Sequence, residues 1–153
     1  MEATAPVLII GIGNPSRGDD AIGPLAIERL ATLDLADVEL LTDFQLQVEH
    51  ALDLVGRREV IFIDAAAAGV APFDFRPVVP TADPGPLSHA LSPAAVLAAF
   101  RSVCTAAPPA AFALAVRGYD FTLGAPLSTR ATANLAAALP LLAARFAAHK
   151  TPA

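Results

Sequence analysis

The feature that most constrains this chain is Val7-Leu8-Ile9-Ile10-Gly11-Ile12, an unbroken apolar run that ends in glycines. Consecutive apolar positions, with no polar alternation, describe a strand buried on both faces, as parallel strands are. Val60-Ile61-Phe62-Ile63 repeats the pattern and closes on Asp64; Ala111 to Val116 does so again. Between these runs the apolar spacing is helical. Strands that alternate with helices imply a three-layer α/β/α sandwich around a mainly parallel sheet.

The remaining elements follow from local chemistry. Gly13-Asn14-Pro15-Ser16-Arg17-Gly18 is a loop by its turn residues. Asp19 and Asp20 open a helix that runs to about Leu33. Val38 to Leu41 reads as a second strand. Thr42 and Gln45 have capping-box spacing, which predicts a helix from about Gln45 to Val55 with Gly56 past its end. Phe73 to Val79 is a further strand, placed at a sheet edge by Pro77. Ser92-Pro93 starts a helix that reaches about Val103 or Cys104. Ser128 caps a last, Ala/Leu-rich helix to about His149. The whole chain, 1–153, is expected to be one domain.

Composition removes several classes of function. Hydrophobic residues are 55% and charged residues 16%, which excludes disorder of the chain as a whole. The net charge of −5 argues against a nucleic-acid partner, which would call for a basic face. Lys and Arg are scattered, so a polybasic membrane patch is absent, and no apolar stretch is long enough to span a bilayer. Met1-Glu2-Ala3-Thr4 has no basic signal-peptide region, so a cytoplasmic location is expected. Cys104 has no partner cysteine and reads as a small core residue.

Sites in open α/β sheets lie beyond the carboxyl ends of the strands, near a topological switch point. If the first strand lies between the second and third, Asp19, Asp20, Asp43 and Asp64 share one rim. Asp19 or Asp20 could equally cap a helix, and Asp43 could be a turn residue. His89 lies in a small-residue loop ahead of a helix. His50 and His149 read as surface residues. Serine-hydrolase, zinc-peptidase, Rossmann and Walker A patterns are all missing: position 16, where a third glycine would stand, is Ser. Two carboxylates and one imidazole on a rim would hold a borderline divalent ion weakly, with open coordination positions. That suits a site engaging a metal already held by another molecule.

Gly11-Ile12-Gly13-Asn14 followed by Gly18-Asp19-Asp20-Ala21-Ile22-Gly23 resembles the opening motif of the [NiFe]-hydrogenase maturation endopeptidases. Ile61-Phe62-Ile63-Asp64-Ala65 resembles their second motif, and Leu87-Ser88-His89-Ala90-Leu91-Ser92 their third. Gly124 to Ser128 and the last helix fit the closing pattern. The resemblance covers nearly the whole chain, in order. It implies a five-stranded mixed sheet of order 2-1-3-5-4 with one antiparallel strand, at or next to the Phe73 strand. It also implies removal of a C-terminal extension from a nickel-loaded large-subunit precursor, with the nickel as recognition element. Asp20, Asp64 and His89 are the positions that match the family's metal-contacting residues. No permanently bound cofactor, no nucleic acid, no membrane and nothing beyond a monomer is implied. One departure is Asp43-Phe44-Gln45-Leu46-Gln47-Val48-Glu49, where many members have a Gly/Thr-rich segment.

Two mechanisms stay open at this level. The metal polarises the scissile carbonyl or a water, or a carboxylate such as Asp43 or Asp19 is the general base. Two other classes are also open: a non-catalytic binding module for a metallated precursor or small ligand, and an acid protease with paired aspartates and no metal.

Overall fold

The computed structural model describes residues 4–81 and 91–148. Five strands form one sheet of order β2-β1-β3-β5-β4. They are β1 (Val7–Ile12), β2 (Val38–Asp43), β3 (Glu59–Ala66), β4 (Phe73–Pro77) and β5 (Ala110–Arg117). The first three and β5 are parallel; β4 runs antiparallel to β5 at the edge, pairing Phe73 with Val116 and Pro77 with Phe112. The expected sandwich, strand order and antiparallel edge are therefore the observed ones.

Alternation along β1 and β3 divides the interior in two. Val7, Ile9, Ile61 and Ile63 face one layer, formed by α1 (Ile22–Leu30) and α4 (Thr129–Phe146). Leu8, Ile10, Val60 and Phe62 face the other, formed by α2 (His50–Asp53) and α3 (Pro93–Val103). The first layer needs two glycines. A β-carbon on Gly11 would strike the carbonyl of Gly23 and the side chain of Ile27, so α1 lies against β1 backbone to backbone. Both long caps expected from the sequence form: Ser92 Oγ accepts from Ala95 N, and Ser128 Oγ from Ala131 N.

Three elements differ from expectation. Asp19 and Asp20 lie in a 3-10 turn, Gly18–Ala21, that precedes α1. The helix predicted over Gln45 to Val55 shrinks to one turn, because β2 continues through Thr42 to Asp43 and the residue meant as a cap is in the sheet. The carbonyl of Leu46 is taken by Leu91 N, outside any helix. Asp64 lies inside β3, which runs on to Ala66 alongside β5. Among the described residues no helix is long and apolar enough to cross a membrane. The predicted end of the last helix at His149 lies outside the described residues.

Candidate functional site

β1 lies between β2 and β3, so the chain leaves it at the switch point of the sheet. Gly13 makes the exit turn with φ of 146°, and a β-carbon there would collide with the backbone of Asp20. The loop folds back on itself: Asn14 N donates to Asp20 Oδ2 at 2.7 Å. This close approach sets the Asp20 carboxylate at the carboxyl end of β1. Asp64 arrives there on β3, on the face that carries Val60 and Phe62.

The two carboxylates line one cavity of about 400 Å3, with Gly13, Gln45, Leu46 and the Leu91–Pro93 start of α3. Asp64 accepts from Ala65 N at 2.8 Å through Oδ1. Its surface is exposed, but to a cavity with protein around it. Crowding by that protein, and then the charge of Asp20, push the Asp64 carboxyl up to about 7, against a single backbone hydrogen bond that lowers it. A carboxylate so disfavoured as an anion gains from a cation placed beside it.

Asp19, one residue from Asp20, is wholly buried and points elsewhere. Its Oδ2 accepts from Tyr119 N, Asp120 N and Ser128 Oγ, and its Oδ1 from Ser128 N, at 2.7–3.0 Å. Burial raises its pKa, but the hydrogen bonds from Ser128, Asp120 and Tyr119 outweigh that and hold it below the ordinary carboxylate value. Asp19 ties the loop between β5 and α4 to the start of α1.

Asp43 ends β2 and lines a neighbouring cavity of about 310 Å3 with Gly13, Pro15, Pro24, Thr42 and Phe44. Gly13 and Phe44 line both cavities. Asp43 Oδ1 accepts from Phe44 N, and Oδ2 lies 3.1 Å from His50 Nε2. His50, expected on the surface, is 5% exposed. Its Nδ1 accepts from Gln47 N at 2.9 Å, which leaves the ring proton on Nε2 to donate to Asp43. His50 thus clasps the Asp43–Gln47 loop at both ends. The sequence signal for it was seven-residue spacing from an aspartate at a strand end, legible only once β2 reaches Asp43.

His89 lies outside the described residues. Among those that are described, no three His, Cys, Asp or Glu side chains gather as a metal site, so Asp20 and Asp64 stand as a pair. Cys104 is half-buried at the end of α3, against the core layer beneath it.

No protein-family model and no curated protein matches the chain. Solved structures do. The hydrogenase maturating endopeptidase HybD from E. coli is 26% identical, with 91% of this chain and 90% of that one covered and a TM-score of 0.74. An endopeptidase from Escherichia coli, solved in solution, is 27% identical over 90% of both chains, with a TM-score of 0.70. The [NiFe] hydrogenase maturation protease HycI from Thermococcus kodakarensis KOD1 shares the fold at 23% identity and a TM-score of 0.71, over 92% of this chain and 91% of that one. The chain is a structural homologue of the HycI/HybD-type hydrogenase maturation endopeptidases.

Proposed function

We propose that this protein is an endopeptidase that removes the C-terminal extension of a nickel-loaded [NiFe]-hydrogenase large-subunit precursor. The homology supports C-terminal peptide hydrolysis on a hydrogenase precursor. The observation that carries the finer reading is the cavity lined jointly by Asp20, from the turn that precedes α1, and Asp64, from β3. Asp20, Asp64 and His89 are the residues we assign to the precursor's nickel, which belongs to the substrate. His89 would bind as neutral imidazole and both carboxylates as anions. Since crowding holds Asp64 near 7, docking of the metal would expel its proton. Held on this rim, the metal would fix the scissile bond over the cavity and polarise its carbonyl or a water. Asp43, steadied by His50, is the carboxylate at the adjoining cavity best placed to accept a proton. Asp19 spends its oxygens on the fold.

The test is cleavage of the purified precursor, with and without nickel, followed by intact mass. Loss of a C-terminal fragment from the nickel-loaded form alone is the expected result. Cleavage of both forms would discard nickel recognition in favour of a metal-independent protease. Binding without cleavage would make the protein a chaperone.

A further inference from the structure

Among the described residues nine large apolar side chains are exposed, and four of them, Phe44, Val48, Leu52 and Val55, fall within one stretch of twelve residues. Their exposures are 66%, 57%, 67% and 49%. The backbone explains why Val48, Leu52 and Val55 share a side. From Gln47 onward the chain turns by i→i+3 hydrogen bonds: His50 N to Gln47 O, Ala51 N to Val48 O, Leu52 N to Glu49 O and Val55 N to Leu52 O. Helical winding through α2 puts Val48, Leu52 and Val55, at i, i+4 and i+7, along one side. The same winding sends His50, Ala51 and Leu54 inward, where all three are buried. An apolar face built on a fixed base, with no element of the described residues over it, is a surface made for a partner.

We infer that this ridge is the surface on which the large-subunit precursor docks; the inference rests on the function proposed above. Two observations select that occupant. First, the ridge is continuous with the candidate site, because Phe44 at its head lines both the Asp20–Asp64 cavity and its neighbour. Second, the ridge is flanked by carboxylates, Asp43, Glu49 and Asp53, on a chain of net charge −5. In a symmetric dimer the same patch meets itself, so these acids would face their own copies. The complement is an apolar surface with a basic rim on a different protein.

The experiment pairs Leu52→Arg and Val48→Arg with Leu33→Arg. Leu33 is also exposed but follows α1, on the other face of the sheet and near Val38 at the start of β2. With nickel-loaded precursor, the two ridge variants are expected to raise KM about tenfold and leave kcat within about twofold, the pattern of lost uniform binding. Leu33→Arg should match the unaltered protein, and all three should keep its Tm. Unchanged KM in both ridge variants overturns the inference. If the unaltered protein cuts no precursor, the proposed function fails by itself, and binding of purified precursor then reads the ridge: binding weakened by Leu52→Arg supports it, and binding that is absent or indifferent overturns it. Sedimentation of the protein alone supplies the last arm. A dimer that Leu52→Arg dissolves would assign the ridge to a second copy and overturn the inference.

Discussion

Asp19 and Asp64 stand at the same edge of one sheet and have opposite surroundings. Asp19 is sealed, and its two oxygens accept four hydrogen bonds from the loop that leads into α4. Asp64 faces a cavity, accepts one bond from its neighbour Ala65, and feels the charge of Asp20. The first carboxylate is held below its ordinary pKa and the second is raised to about 7. A carboxylate whose lone pairs are filled by its own fold has nothing to offer a ligand. One that is crowded, underbonded and near a like charge gains most from an arriving cation. The α1–α4 side of the rim is therefore its fastening, and the α2–α3 side is where chemistry fits.

The strongest way to break this contrast is Asp19→Ala. It strands three buried or half-buried N–H groups and the Ser128 hydroxyl, so unfolding by denaturant should show a loss of about 3–4 kcal/mol. The pH dependence has a definite sign. The folded pKa of Asp19 is lowered, so its stabilisation is present above the unfolded value near 3.8 and disappears as pH falls below it. The unaltered protein should lose this contribution in acid, and Asp19→Asn should flatten that part of the curve. A variant as stable as the parent at pH 7 would mean that the Asp19 network holds nothing together.

Next in size is the loss of function on the other side. Asp20→Asn and Asp64→Asn should reduce processing by more than about 100-fold, the upper end for partners that only support a metal ligand. Neither should cost stability. Processing at the parental rate by both variants, read by intact mass, would remove the cavity from the reaction. His89→Ala belongs to the same series and should behave alike.

Between the two carboxylates in character lies the His50–Asp43 clasp. His50→Ala removes the acceptor of Gln47 N–H and the partner of Asp43 Oδ2, while Asp43 Oδ1 keeps its bond from Phe44 N. Thermal or chemical unfolding should record a loss of about 1–2 kcal/mol. Asn at this position can still accept from Gln47 N, and Gln can still donate to Asp43, so the two substitutions separate the halves of the clasp. If the Asp43 half matters to the reaction, His50→Gln retains more processing than His50→Asn. Equal activity in the two would restrict His50 to holding the loop.

Much of this was legible in the chain itself. Apolar runs without alternation announced β1 and β3, and Pro77 announced the edge strand. The meeting of Asp20 and Asp64 at the carboxyl rim followed from topology, although β3 runs two residues past Asp64. The division of labour among them did not, because it depends on donors far away: Ser128 lies 109 residues from Asp19. Capping-box spacing at Thr42 also misled, since strand pairing carried β2 through Thr42, opposite Gly11 of β1, to Asp43. With β2 longer by two residues and α2 reduced to one turn, His50 went from a surface helix position to the floor of a loop. Short-range signals located the elements; the fate of each polar side chain was decided by which backbone groups the packed layers brought to it.

The smallest expected effect tests the Asp64 side of the contrast without using the reaction. Its folded pKa is about 7 and its unfolded value 3.8, so between these pH values the folded protein holds a proton that the unfolded chain has released. Stability attributable to this residue therefore falls as pH rises through that window, and the cost is complete above 7. Asp64→Asn cannot ionise and avoids the cost. Because the residue is exposed toward the cavity, solvent screening reduces the benefit to about 1 kcal/mol or less, or roughly 2–4 °C in Tm for a chain of this size. The gain should be present at pH 8 and vanish at pH 4, the reverse of what Asp19→Asn does to the acid limb. An Asp64→Asn variant that is less stable than the parent at pH 8 would show that the carboxylate is satisfied by the fold, as Asp19 is, and would remove the physical reason for a cation to bind there.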